Sequence, residues 1–391
     1  MGPPDAAAHA GRGLGWRDGL VEVGRAVLQV LPAWIAARLV VTAALVVARV
    51  GVGTLRPGDA EAVRRVHEGL LSWDAGWYLS IARHGFVAAG LESVRFFPLY
   101  PMAGRYLGDV PGIGTEAALV LVANLSALLA MAALWLLVRH DSGDTRLARR
   151  SVWLLALAPS AYSFVLAYSD ATLLLCSVVA LLGARTGRWW WAAAAGLAAG
   201  AVRPVGVLVV VPLAVEAWAG RGAEAGGRCR WPARIAALAA PLAGAGAYMA
   251  WVWYRFGDPW LPLTVQQQRG HRGQFAAPVA AMYRDVVDAL GGHHVGSALH
   301  VPWVLACLVL LVVVWRRLPR SYAAFATAVL VVSLSSANLD SFERYALGAF
   351  PLVVGASLYT ESRRVERVVL VVSGVAMAGY ATLVFLGVVV P

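Results

Sequence analysis

The chain has 391 residues, of which 60% are apolar and only 14% charged, a balance that excludes a water-soluble globular protein. Its net charge of +11 comes from 33 arginines, with no lysine, against 22 acidic residues. The arginines form short clusters between apolar runs rather than a basic stripe, which excludes a nucleic-acid surface and follows the positive-inside pattern of membrane loops. Several apolar runs reach the roughly 20 residues needed to cross a bilayer core. The fold class expected is therefore an all-α polytopic bundle, one integral membrane domain over 1–391.

In chain order the expected spans are 27–50, 116–138, 151–166, 169–184, 189–202, 205–218, 235–254, 301–315, 321–337, 345–360 and 368–389. The first is too long for a signal peptide and lacks a cleavage site. Around "AVRPVG" (Ala201–Gly206) the sequence allows either one helix kinked at Pro204 or two spans. Two are preferred, because only then do all arginine-rich loops share a side. Those loops are Arg139–Arg150, Arg185 with Arg188, Arg221–Arg234, Arg316–Arg320 and Glu361–Arg367. The positive-inside rule makes their side cytoplasmic. The opposite side then carries the first loop Thr54–Thr115, the "AYSD" turn, the Arg203 turn, Arg255–His300 and "NLDSFERY" (Asn338–Tyr345). Abundant Ala, Gly and Arg without lysine points to a bacterial cytoplasmic membrane.

The first loop is amphipathic. Val63, Val66, Leu70, Trp73, Trp77 and Ile81 recur at helical spacing, and His84-Gly85 reads as a helix end, so the expectation is a helix lying in the membrane interface. A weaker second one is Val279–Leu290. Within the first sits "WDAGWY", where Asp74 stands between Trp73 and Trp77. An aromatic belt with a solvated Asp is one reading. The other is a carboxylate whose pKa is raised at the membrane surface for base catalysis, with Tyr78 at i+4 on the same face. In the following "FFPLYP", each proline pushes the residue before it, Phe97 or Tyr100, toward extended backbone and makes a rigid aromatic wall.

Three ionisable residues stand alone among apolar ones. Asp170 either caps the helix that follows or serves a site at membrane depth. Arg203 either snorkels or pairs with Asp170, or else clamps a phosphate. Arg344 has the same readings, with Glu343 as an internal partner. His293, His294 and His300 read as a plain loop rather than a metal set, and Cys176, Cys229 and Cys307 form neither a metal motif nor an obvious disulfide pair. No P-loop, Rossmann fingerprint or Ser–His–Asp elbow is present in the sequence, so no cofactor is called for.

The order "WDAGWYLSIARHGF", "FFPLYP", "PSAYSFVLAYSDATLL", "RPVG", "ERYALGAFPL" resembles the PIG-V family of mannosyltransferases, within the GT-C superfamily of polytopic glycosyltransferases. The resemblance runs from about Leu71 to Leu352. It departs at Asp170, where relatives usually carry Glu, and at Pro204, where other relatives carry a polar residue. It implies transfer of mannose from a polyprenyl-phosphate-mannose donor on the non-cytoplasmic face, with Asp74 matching the family's acidic residue. The acceptor is then a hydroxyl of a lipid-linked or surface glycan. On this reading Asp74 is the base of a single displacement, while Arg203 and Arg344 hold the leaving phosphate. Trp73, Trp77, Tyr78, Phe97, Tyr100 and Asp170 contact substrate. The partners are the lipid-borne donor, the acceptor and membrane lipid, with no nucleic acid. The alternative is a polytopic lipid or solute transporter without chemistry, which explains the spans but not the collection of polar motifs on one face.

Overall fold

The computed structural model describes residues 16–220, 231–268, 271–290 and 300–391. His293, His294, Cys229 and most of the Arg221–Arg234 loop therefore lie outside the described residues. Helix α1 (Trp16–Leu55) leads into a first loop built from α2 (Ala60–Glu68), α3 (Asp74–Ala89) and α4 (Leu99–Gly108). Then come α5 (Thr115–Ser142), α6 (Thr145–Leu157), α7 (Asp170–Arg185), α8 (Trp189–Val202), α9 (Val210–Trp218) and α10 (Trp231–Phe256). A second polar segment holds α11 (Leu261–Gln266) and α12 (Pro278–Leu290). The chain closes with α13 (His300–Arg317), α14 (Arg320–Leu334), the short pair α15 (Phe342–Gly348) and α16 (Phe350–Ser357), and α17 (Arg363–Phe385). Among the described residues no strand forms, and one isolated antiparallel bridge joins Phe275 to Ser336.

Five helices, α1, α5, α10, α13 and α17, are long and apolar enough to cross a bilayer. This is an integral, multi-pass membrane protein. The remaining six expected crossings are shorter: α6 has 13 residues, α7 has 16, α8 has 14, α9 has 9 and α14 has 15, and the sixth is split between α15 with 7 and α16 with 8. At 1.5 Å per residue even the longest spans about 24 Å, short of a hydrocarbon core of about 30 Å. Unwound backbone makes up the difference, which a bilayer tolerates only where it is buried in protein or lines a cavity.

At "AVRPVG" the chain breaks rather than kinks. Arg203 is extended (φ −156°, ψ 155°) and a short 3-10 turn, Pro204–Val209, precedes α9. Gly206 lies so close to the Ala199 carbonyl that any Cβ would collide with it. Residues seven apart in one continuous helix would be about 10 Å apart, so the chain has turned back. Helix α8 then packs closely on α10: a Cβ on Gly196 or Gly200, four residues apart, would press on Pro241. Such small-residue spacing is how membrane helices gain van der Waals contact without a hydrophobic drive.

The expected interfacial stripe across Val63–Ile81 is interrupted. Positive φ at Gly69 (57°) and Trp73 (60°) ends α2 and restarts the chain as α3. The expected stop at His84-Gly85 is present as a kink, with Gly85 at φ 78°. Tyr100 departs from expectation too: it is helical in the first turn of α4. Pro101 sits where its missing N–H leaves no hydrogen bond unmade, so its usual effect on the preceding residue is overridden.

Two polar ends separate cleanly. At the arginine-rich end, Arg185 bonds Asp141 (2.7 Å) and Glu216 (3.1 Å), and Tyr322 donates to Asp141 (2.7 Å). Exposed Trp190, Trp191, Trp218 and Trp231 ring that end, while Trp253, Tyr254 and Trp260 mark the other, as amphipathic rings do at headgroup level.

Candidate active site

At the end opposite the arginine-rich loops, helix termini rather than helix middles supply the charged groups. Asp59 caps α2, accepting from the Ala62 amide at 2.9 Å. The chain then turns at Trp73, whose φ of 60° is unusual for a residue with a Cβ and costs on the order of 1–3 kcal/mol. Three contacts hold it. The indole Nε1 donates to the Val384 carbonyl of α17 (3.0 Å), the Arg65 guanidinium lies 3.5 Å over the ring, and the Ala167 amide donates to Leu70 (2.9 Å). The turn places Asp74 in the first turn of α3, where a carboxylate is favoured by the helix dipole.

From Asp74 a chain of ion pairs runs inward. Arg344 Nη2 donates to Asp74 Oδ2 at 2.9 Å, Arg344 Nε is 3.6 Å from Asp170 Oδ1, and Arg203 Nη1 donates to the same oxygen at 2.7 Å. Asp170 opens α7 behind Ser169 and makes no capping bond there, so it is a partner for arginines rather than a helix cap. Arg203 is held extended by Pro204 behind it. Glu343 is not the partner of Arg344: its carboxylate accepts from His300 Nδ1 at 2.7 Å, while its backbone carbonyl accepts from Ser160 Oγ. The Tyr345 ring has three guanidinium carbons around it, Arg272 at 4.4 Å, Arg203 at 4.9 Å and Arg344 at 5.3 Å from its centroid.

A cavity of about 190 Å³ opens onto this network, lined by Asp74, Tyr78, Arg95, Phe96, Phe97, Arg203, Gln266, Arg272 and Tyr345. Tyr78, one turn after Asp74, shares a 2.6 Å hydrogen bond with Ser169. Asp170 and Arg344 sit behind, on a narrower pocket of about 30 Å³ with Phe164, Leu173, Leu174 and Val205. Tyr100 does not reach the cavity. It is fully buried, packs 4.8 Å from Tyr78 and donates its hydroxyl to the Leu119 carbonyl (2.9 Å). Trp73 and Trp77 face away into an outer groove, with Trp77 stacked 6.1 Å from Phe96. Arg95, Arg272, Gln266 and Tyr345 escaped sequence reasoning. Arg95 stands directly before "FFPLYP" and Arg272 in an outer segment, but neither interrupts an apolar run, which was the signal that exposed Arg203 and Arg344.

Four guanidiniums, those of Arg95, Arg203, Arg272 and Arg344, face the two carboxylates of Asp74 and Asp170, so positive charge is in excess. Burial pushes the Asp74 carboxyl up, but Arg344, Arg95 and Arg203 outweigh it and hold its pKa below the usual carboxylate range. The raised pKa expected from an aromatic, interfacial setting is therefore corrected: cations, not rings, dominate its surroundings. The side chain of Arg344 is only 3% exposed, yet its Nε and Nη1 have no hydrogen-bond partner among the described residues, nor does Arg95 Nε. Buried donors of this kind are rarely left unmatched, and they point at a space for ligand oxygens. Among the described residues no three His, Cys, Asp or Glu side chains are grouped to hold a metal ion.

No protein-family model matches this chain, and no curated protein does. Among solved structures it is similar to ArnT from Cupriavidus metallidurans bound to undecaprenyl phosphate, with a TM-score of 0.52 and 19% identity over 85% of this chain and 62% of that one. It also matches the Archaeoglobus fulgidus oligosaccharyltransferase, in complex with Zn and sulfate (TM-score 0.44, 13% identity, 88% of this chain and 53% of that one). The apo form of that protein gives a TM-score of 0.43 at 13% identity over 90% of this chain and 56% of that one. This chain thus spans less than two thirds of the length of each. The likeness to ArnT is one of fold.

Proposed function

We propose that this protein is a membrane mannosyltransferase of PIG-V kind. It moves mannose from polyprenyl-phosphate-mannose to a hydroxyl of a lipid-linked or surface glycan, on the extracytoplasmic face of a bacterial cytoplasmic membrane. The observation that carries the reading is the cavity itself: one ionised carboxylate, Asp74, in a wall with Arg95, Arg203 and Arg272, backed by Arg344, whose Nε and Nη1 have no hydrogen-bond partner among the described residues. A fold shared with a protein crystallised with undecaprenyl phosphate agrees with a lipid-phosphate donor.

In the proposed step the acceptor oxygen attacks the anomeric carbon while the bond from that carbon to the phosphate oxygen breaks. The electron pair leaves with the lipid phosphate, which gains one negative charge. Arg344 Nη1 and the Arg203 and Arg272 guanidiniums offset that charge as fixed, preorganised cations. The acceptor proton passes to Asp74. Its low pKa keeps it ionised and ready, and it makes Asp74 a weak base for a resting hydroxyl. Proton transfer therefore follows bond formation, as the attacking oxygen becomes acidic. Because phosphate is already a competent leaving group, positioning supplies much of the rest.

Asp74→Asn keeps the shape and the hydrogen bond to Arg344 but cannot take a proton. Product from radiolabelled polyprenyl-phosphate-mannose and membrane lipid extract should fall about 10²–10⁴-fold, the usual range for losing a general base. Retention of more than about half the wild-type turnover at equal protein, far outside that range, would remove Asp74 from the mechanism.

A further inference from the structure

The turn at Trp73 divides the outer face in two. Asp74 looks into the arginine-rich cavity, while Trp73 just before α3 and Gly76 and Trp77 on it line a separate open groove of about 380 Å³ together with Arg64, Arg65, Glu68 and Ser80. That volume falls within the roughly 300–1,000 Å³ of small-molecule sites.

We propose that this groove is the acceptor subsite and that it takes the neutral pyranose bearing the attacked hydroxyl; the proposal rests on the glycosyl-transfer reading above. Charge separates the two cavities. Around the inner one arginines outnumber carboxylates. Beside the groove Arg64 pairs with Glu68 (2.7 Å) and Glu61 (3.2 Å), and Arg65 pairs with Glu61, so each arginine there already has a carboxylate partner. A phosphate would have to displace those carboxylates. A sugar need not, because its C–H face suits an indole while its hydroxyls suit carboxylate, guanidinium and serine oxygen.

The walls are fixed in advance. The Trp73 indole is tied to Val384 and covered by Arg65, and Trp77 is stacked on Phe96, which itself lines the inner cavity. Rigid aromatic walls spare a ligand the cost of ordering them. Between them Gly76 forms the floor, exposed, with no atom within 4 Å of where a Cβ would stand. A larger residue would fill the groove without striking the protein. Trp73 adjoins Asp74 in the chain and Trp77 stacks on Phe96, so the groove and the inner cavity lie on the two sides of one aromatic partition.

The test is saturation-transfer NMR on the full-length protein in nanodiscs, with methyl and octyl α-D-mannopyranoside as probes and empty nanodiscs as the blank. Wild type should transfer saturation to the ring protons. Gly76→Leu should abolish the signal, and Glu68→Gln should weaken binding about tenfold or more, as loss of a charged hydrogen-bond partner does. Tyr106→Ala, which removes an exposed aromatic elsewhere on the loop, should match wild type. Tighter binding of the octyl glycoside supports a lipid-linked acceptor and equal binding supports a free glycan, both within the groove. No saturation transfer in wild type, or signals unchanged by Glu68→Gln and by a folded Gly76→Leu, overturns the proposal. Sugar binding without mannose transfer from donor would instead overturn the enzymatic reading and leave the groove standing.

Discussion

Asp74 and Arg344 set each other's charge, and the sign of their coupling is measurable. With its folded pKa held low, Asp74 contributes stability that is present above the ordinary carboxylate pKa of about 3.9 and lost as pH falls through the lower folded value. The acid limb of the rate profile should accordingly lie below about 4. Arg344→Gln removes the largest opposing charge and leaves burial to raise the pKa, so the limb should move toward neutral pH. An unmoved limb would mean that Asp74 does not set it. For Arg203 the informative change is to lysine. Arg203→Ala takes from Asp170, which is 8% exposed, the nearer of its two arginines and so mixes lost function with a weakened buried ion pair. Arg203→Lys keeps the charge but loses the planar fork. It should cost roughly 1.5–3 kcal/mol in kcat/KM, read from initial rates on the lipid donor at normal protein levels. Wild-type rates would leave Arg203 a purely structural partner of Asp170.

At the scale of elements, the unwound segment before α7 needs an external hold, because its carbonyls lie at membrane depth without helical partners. Arg38 of α1 supplies it. Its Nη2 donates to the Phe164 carbonyl (3.1 Å) and its Nε to Asn124 Oδ1 (2.9 Å), and Asn124 Nδ2 donates on to the Val165 carbonyl (3.1 Å). This network fixes the strand of backbone that ends in Ser169 and Asp170. Arg38→Leu orphans acceptors worth about 1–3 kcal/mol each. It should lower the thermal midpoint in detergent and depress kcat, while leaving the Asp74 pH limb in place. An unchanged midpoint would show that the network carries no load. Arg38 lies inside the expected first span, 27–50, and nothing in its local sequence marks this role. Its partners are 86 and 126 residues away.

For the whole molecule, orientation is the property on which the location of the site depends. Two clusters occupy opposite ends of the bundle, one joining Asp141, Arg185 and Glu216, the other Asp74, Asp170, Arg203 and Arg344. Arginine density in the short loops assigns the first to the cytoplasm. An impermeant thiol reagent applied from outside should then modify a cysteine placed at Gly90 and spare one at Ser142. The reverse pattern would move the candidate site inside. Much of this architecture was legible in advance. Apolar run length is a local property set by bilayer thickness, so five of the eleven expected spans are helices long and apolar enough to cross it, and the others contain shorter or broken helix. The helical spacing of Asp74 and Tyr78 likewise put both on one cavity wall. Tertiary structure decided the rest. Pairing of Arg344 with Asp74 rather than with adjacent Glu343 depends on α3 and α15 meeting across 270 residues, which no spacing rule encodes. The break at Trp73 arises from bonds to α17 and to the Ala167 backbone, contacts that override a local helical stripe. The low Asp74 pKa is a sum over arginines brought from three distant segments. Periodicity along the chain sees only neighbours, whereas charge acts through space.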